Sequence, residues 1–207
     1  MIAQSTERKR KTKHPCPACG LHPLRCLCAS VPRLSLATRV CVVVHAKELK
    51  RTTNTGRLAV LALANAEMRV RGDGREALDL GDLLTTGYRS FLFYPSAEAR
   101  ELTPALVAES RLPIQLIVPD GNWRQAGKVS VRHRELAIVP RVMVRSPAGR
   151  DVRGPALRAE HFAAGMATLE AIALALGVIE GPAVGAALTD LYRLKLERTH
   201  EGRGTIR

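Results

Sequence analysis

Residues Arg39 to His45 read RVCVVVH, an unbroken β-branched run with no polar alternation. A strand of that kind hides both of its faces, which requires helices above and below and favours a mainly parallel sheet. The rest of the chain has the matching rhythm. Ser90 to Tyr94 (SFLFY) and Ile114 to Val118 read as further strands, and Leu136 to Val144 as one strand interrupted by Pro140 or two short ones. Between them, Thr52 to Glu67 reads as a loop entering an alanine- and leucine-rich helix, and His161 to Leu176 and Pro182 to about Thr199 as two helices that close the chain. Strands alternating with helices imply an α/β fold. The glycine-rich segment Gly72 to Gly87 reads as a surface excursion, and no internal repeat or long linker interrupts the pattern. With 46% hydrophobic residues, a chain of 207 residues can build the core of one such domain with an appendage.

The appendage is marked by cysteine. Four of the five cysteines, Cys16, Cys19, Cys26 and Cys28, form a CxxC followed by six residues and a CxC. In a reducing compartment four thiolates on two tight turns favour one tetrahedral zinc over disulfides, and a redox CxxC would not need the second pair. Pro15 and Pro17 stiffen the first turn, and Gly20 stands where a tight knuckle requires positive φ. The basic neighbours Lys11, Lys13 and Arg25 are expected to lower the thiol pKa values. His14 and His22 read as bystanders, and Cys41 as a small buried hydrophobe. The expected division is a basic arm and four-cysteine zinc knuckle over 1–35 and the α/β domain over 36–207.

Charge points to a polyanionic partner. Lys and Arg outnumber Asp and Glu by 32 to 19, giving a net charge of +13 and a pI near 10.3. Nucleic acid is the first candidate. No apolar run approaches the roughly 20 residues needed to span a bilayer, and the first residues lack the apolar core of a signal peptide. A cytoplasmic location with no membrane partner is expected, and no protein partner is inferred. The basic N-terminus (Arg8, Lys9, Arg10, Lys11) and the tail (Arg193, Lys195, Arg198, Arg203, Arg207) are the expected phosphate contacts.

Three polar loops follow the strands. The third strand runs into Pro119-Asp120-Gly121-Asn122-Trp123-Arg124-Gln125-Ala126, which holds the only tryptophan in a chain with 3% aromatics. Side chains at strand C-termini converge where open α/β sheets bind ligands, so this is the expected active-site edge. A helix-entry staple at Trp123 and an N-cap at Asp120 would also explain it. After the first strand, Thr53-Asn54-Thr55-Gly56-Arg57 precedes a helix, where amides favour anions and polar side chains either cap or bind. Tyr94-Pro95-Ser96 follows the second strand and reads as a simple helix cap. Thr168-Leu169-Glu170-Ala171 falls in a helix, where plain amphipathicity would leave Glu170 in solvent.

Taken in order, the cysteine knuckle, residues 53–57, Tyr94-Pro95, residues 120–126 and Thr168 to Ala171 resemble the DTW-domain family, which is related to aminocarboxypropyl transferases acting on ribosomal RNA. The tail Tyr192 to Arg207 is similar to the family's basic ending. One departure is visible: Asn122 stands where the family's name motif has threonine. The resemblance implies a SPOUT-like sheet with a C-terminal knot, which sequence reasoning alone would not propose. It implies a tRNA-uridine aminocarboxypropyltransferase that moves the 3-amino-3-carboxypropyl group of S-adenosylmethionine (SAM) to N3 of a uridine. Carried over, Asp120 and Trp123 would be catalytic, and Thr55, Gly56, Tyr94, Pro95, Gly121, Asn122, Gln125, Thr168 and Glu170 would surround SAM. Asp120 would take the N3 proton or hold the SAM ammonium. Trp123 would stack on the uracil or face the sulfonium. A SAM-dependent RNA methyltransferase and a non-catalytic zinc-containing RNA-binding module are the alternatives.

Overall fold

A computed structural model describes residues 14–74, 78–84, 87–145 and 166–203. Six strands form one sheet in the order β2-β1-β5-β3-β6-β4, and every pair is parallel. They are β1 (Arg39–His45), β2 (Ala66–Arg71), β3 (Arg89–Phe93), β4 (Arg100–Glu101), β5 (Ile114–Asp120) and β6 (Arg141–Met143). The helices are α1 (Ala46–Leu49), α2 (Gly56–Ala62), α3 (Pro104–Ala108), α4 (Trp123–Gly127), α5 (Val129–Arg132), α6 (Thr168–Ile179) and α7 (Pro182–Arg203).

β1, fully buried from Val40 to Val44, lies second in the sheet, beside the similarly buried β5. Alternation along β1 divides the core in two. Val40, Val42 and Val44 join Leu58 and Ala59 of α2, Leu169, Ile172 and Leu176 of α6, and Leu188 and Leu191 of α7. Cys41 and Val43 face the other way, onto Leu80, Leu83, Ile117, Val129 and Leu136. Both faces are therefore covered, as an all-parallel sheet requires. The chain leaves β1 for β2 on one side and crosses to β3 on the other, with β5 between them. Such a reversal opens a crevice at the strand C-termini.

Several local expectations are corrected. The helix read over Thr52 to Glu67 is only α2; the chain turns at Leu63 and enters β2 at Ala66, because the edge position of the sheet claims the alternating residues AEMRVR. The segment Gly72 to Gly87 is not a plain surface excursion: Leu80 and Leu83 are fully buried under the second face of the sheet. No helix follows Tyr94; the chain turns into the short edge strand β4. Leu136 to Val144 becomes a 3-10 turn over Arg134–Ile138 followed by β6, with Pro140 at the break. Of the helix read over His161 to Leu176, residues 161–165 lie outside the described residues, and α6 runs on to Ile179.

Candidate active site and metal centre

The four cysteine sulfurs of the N-terminal knuckle lie within 4.8 Å of one another. Cys16 Sγ is 3.7 Å from both Cys28 Sγ and Cys26 Sγ, and Cys19 Sγ is 3.8 Å from Cys26 Sγ. Disulfide sulfurs would be about 2.05 Å apart. Four sulfurs held tetrahedrally at about 2.3 Å from a zinc ion stand about 3.8 Å from each other, so the donor set fits that ion. Local backbone chemistry makes the turn: Gly20 N–H donates to Cys16 O at 2.9 Å, and Gly20 takes φ +74°, as the spacing required. The Cys16 thiol is drawn down to about 6, chiefly by the backbone of Cys19 and helped by Ala18 and the neighbouring thiols. Backbone donors, rather than the expected Arg25, supply that effect; Lys11 and Lys13 lie outside the described residues. Cys28 is pushed up to about 12 by burial and by its sulfur neighbours, so a metal would have to displace its proton. His22 stays out of the cluster, its Nδ1 accepting from Leu24 N–H, and Cys41 is buried as expected.

The knuckle is packed onto the sheet domain. Cys19, Leu21 and Leu27 belong to the same apolar cluster as β1, α2 and α7. Lys195, grouped in the sequence with the phosphate-binding tail, is fully buried and donates from Nζ to Cys19 O at 2.9 Å. Burial pulls its pKa down to about 8. Its place was readable in the spacing: Leu188, Leu191, Tyr192, Lys195 and Thr199 form one i, i+3, i+4 stripe along α7, all of them buried.

The second centre lies at the C-terminal end of β5. Asp120 is the last residue of that strand, in register with Val44 of β1, and is 5% exposed. It continues the Leu116–Val118 face, towards α2 and α6. Asn54 Nδ2 donates to Asp120 Oδ2 at 2.5 Å, and Thr168 Oγ1 donates to Oδ1 at 2.5 Å. Residues 48 and 66 positions away in sequence thus meet on one carboxylate. Asn54 also accepts from Arg57 N–H at 3.1 Å, which orients its amide, and Thr55 Oγ1 accepts from Leu169 N–H at 3.2 Å, which caps α6 from another segment. Gly56 is required here: a Cβ would stand 2.8 Å from Asp120 Oδ2.

The remaining expected residues divide between scaffold and site. Asn122, not Asp120, is the N-cap of α4: Asn122 Oδ1 accepts from Gln125 N–H and Gln125 Oε1 accepts from Asn122 N–H, both at 2.9 Å. That reciprocal cap accounts for both side chains. Gly121 has φ +153°, and a Cβ there would meet Gln125 Oε1 at 2.9 Å. Trp123 is the first residue of α4, adjacent to this turn. Glu170 accepts from Ala167 N–H at 3.2 Å and so serves the start of α6 instead of pointing freely to solvent. Tyr94 and Pro95 follow β3, on the other side of β5 from β1; the Tyr94 hydroxyl is 3.1 Å from where a Cβ on Gly127 would stand. The structure therefore joins Thr55, Gly56, Asp120 and Thr168 directly, adds Asn54 to them, and leaves Tyr94 and Pro95 on the neighbouring strand end.

The family model described as the DTW domain matches residues 13–200. The tRNA-uridine aminocarboxypropyltransferase 2 of Macaca fascicularis is 23% identical over 175 residues, 82% of this chain and 58% of that protein. The protein of the same name from Mus musculus is 24% identical over 170 residues, 80% of this chain and 56% of its own length. The chain thus spans little more than half the length of these curated relatives. No solved structure matches it.

Proposed function

Because the chain belongs to the DTW-domain family, we propose that it moves the 3-amino-3-carboxypropyl group of S-adenosylmethionine to N3 of a uridine in tRNA. The names of the two relatives support this reading, as does the net charge of +13, which suits an RNA substrate. The observation that carries it is the buried Asp120 carboxylate with Asn54 and Thr168 closing on its two oxygens. One anion flanked by small neutral donors fits a ligand that brings an ammonium and a sulfonium.

The donor, when bound, would supply a carbon made electrophilic by the sulfonium; N3 would bond to that carbon as the carbon–sulfur bond breaks, the N3 proton passing to water and the bonding electron pair leaving with sulfur in 5′-methylthioadenosine. Positioning decides which of the three carbons on sulfur is attacked. A carboxylate already held by two donors is better suited to fix a cationic group than to carry a proton away, so Asp120 orients the ammonium end of the donor. Trp123, at the start of α4, is the residue this reading assigns to stacking on the uracil. Thr55 acts through α6, whose first turn it caps, and so places Thr168. The C-terminal knot belongs to the same reading; residues 146–165 lie outside the described residues. Cys16, Cys19, Cys26 and Cys28 would hold zinc, which braces the knuckle and takes no part in the transfer.

The co-product tests this reading. Incubated with SAM and unmodified tRNA transcripts, the protein is expected to release 5′-methylthioadenosine, identified chromatographically. S-adenosylhomocysteine would instead mean methyl transfer, and RNA binding with neither product a binding module.

A further inference from the structure

Asp120 occupies one face of the strand-end edge, and a second polar group occupies the other. Arg71 ends β2 and His45 ends β1, paired in register, and both continue the face opposite to Val44 and Asp120. Arg71 is 5% exposed. Its Nη2 donates to the carbonyl of Gln125 in α4, and its Nε is buried without a hydrogen-bond partner. Among the described residues no carboxylate pairs with it, and the charge that bears on it is the like charge of Arg132, in α5. Arg69, two residues earlier on the same face, is paired with both Glu67 and Asp82. The His45 ring stands over Gly72, with Nε2 3.1 Å from a Cβ built there, while its Nδ1 accepts from Lys47 N–H. Lys47 and Arg132 are exposed at the rim. Arg71, Lys47 and Arg132 all bear on His45 as like charges, and the acidic group that bears on it, Glu48, is itself bridged to Arg51.

A buried guanidinium with no counter-charge is costly unless an anion arrives to pair with it. We propose that Arg71, with His45, Lys47 and Arg132 around it, forms a binding site for a backbone phosphate of the RNA substrate. The exposed rim favours a polymer, since Lys47 and Arg132 are reachable from outside while Arg71 waits at the base. β2 is two strands from β5, so the backbones of Arg71 and Asp120 are about 10 Å apart across the edge, their side chains leaving on opposite faces of the sheet. An RNA strand held at Arg71 would therefore pass the same sheet edge at which Asp120 stands.

The proposal rests on the RNA-modifying reading, and its test separates the two. Binding of unmodified tRNA transcript would be measured over a range of salt for wild type, Arg71→Met, Arg132→Ala and Lys47→Ala, with SAM titration of each protein in parallel. Arg71→Met is expected to weaken RNA binding about tenfold and Arg132→Ala about threefold, each lowering the log–log salt slope by roughly one phosphate contact, with SAM binding unchanged. The two rim variants alter exposed side chains and keep the test valid if Arg71→Met fails to fold. Unchanged RNA affinity and slope in all three variants would overturn the site. Loss of SAM binding with RNA binding intact would also overturn it, by assigning Arg71 to the carboxylate of the donor. If the RNA-binding losses occur in a protein that transfers nothing to tRNA, the phosphate site stands and the transferase reading falls.

Discussion

Asp120 shows how little of a residue's role its neighbours in sequence disclose. A carboxylate after an apolar strand reads equally as a helix cap, and only the chain path brings Asn54 and Thr168 to its two oxygens. Asp120→Ala is expected to lower single-turnover transfer about 100-fold or more while leaving tRNA affinity near wild type, because it removes alignment and not phosphate contacts. Near-normal turnover would remove Asp120 from the mechanism. The cysteines are the opposite case. Their spacing alone specified a four-sulfur site, since two short turns leave few ways to separate the thiols, and the fold brings neighbouring sulfurs to 3.7–3.8 Å. Metal analysis should find about one zinc per wild-type chain and much less in Cys26→Ser. Equal zinc in the two proteins would refute the assignment.

Among the elements, the pairing of α6 with α7 is set by two glycines. A Cβ on Gly185 would meet Gly177 Cα at 2.9 Å and Ala173 O at 3.1 Å, both backbone atoms that cannot swing away. The helices touch closely because neither glycine has a side chain. Gly185→Ala is expected to destabilise the fold by about 1–3 kcal/mol in urea unfolding, the cost of forcing packed helices apart, despite the higher helix propensity of alanine. Gly177 lies inside α6, whereas Gly181, at φ +105°, separates the helices. Strand β2 is hidden in the sequence: AEMRVR carries half-buried charge and suits a helix surface, and only the vacant edge of β1 makes it a strand.

Over the full chain, the distribution of charge matters more than its sum. Of the tail cations, Lys195 is withdrawn into the knuckle interface, while Arg193, exposed, and Arg198, half-buried, sit in i, i+3 pairs with Asp190 and Glu201 that cost little to break. Arg8 to Lys11 and Arg207 lie outside the described residues. Neutralising Arg8, Lys9, Arg10, Lys11, Arg193 and Arg198 together is expected to weaken tRNA binding and flatten its salt dependence, by roughly 0.7–0.9 in slope for each phosphate no longer neutralised. An unchanged affinity and slope would show that these cations face only solvent. Among the described residues no helix is long and apolar enough to cross a membrane.

Local chemistry was enough to specify the parallel α/β class, the burial of β1 on both faces, the cysteine site and the edge at which Asp120 stands. It acts through β-branched runs without alternation, thiols at ligand spacing, and a polar turn after a buried strand. Which distant groups meet was settled by the path of the chain. The strand order β2-β1-β5-β3 put the Asn54 loop and the start of α6 on one side of Asp120, and Arg71 and His45 on the other face. No periodicity encodes such meetings, because they depend on crossovers between strands far apart in the chain.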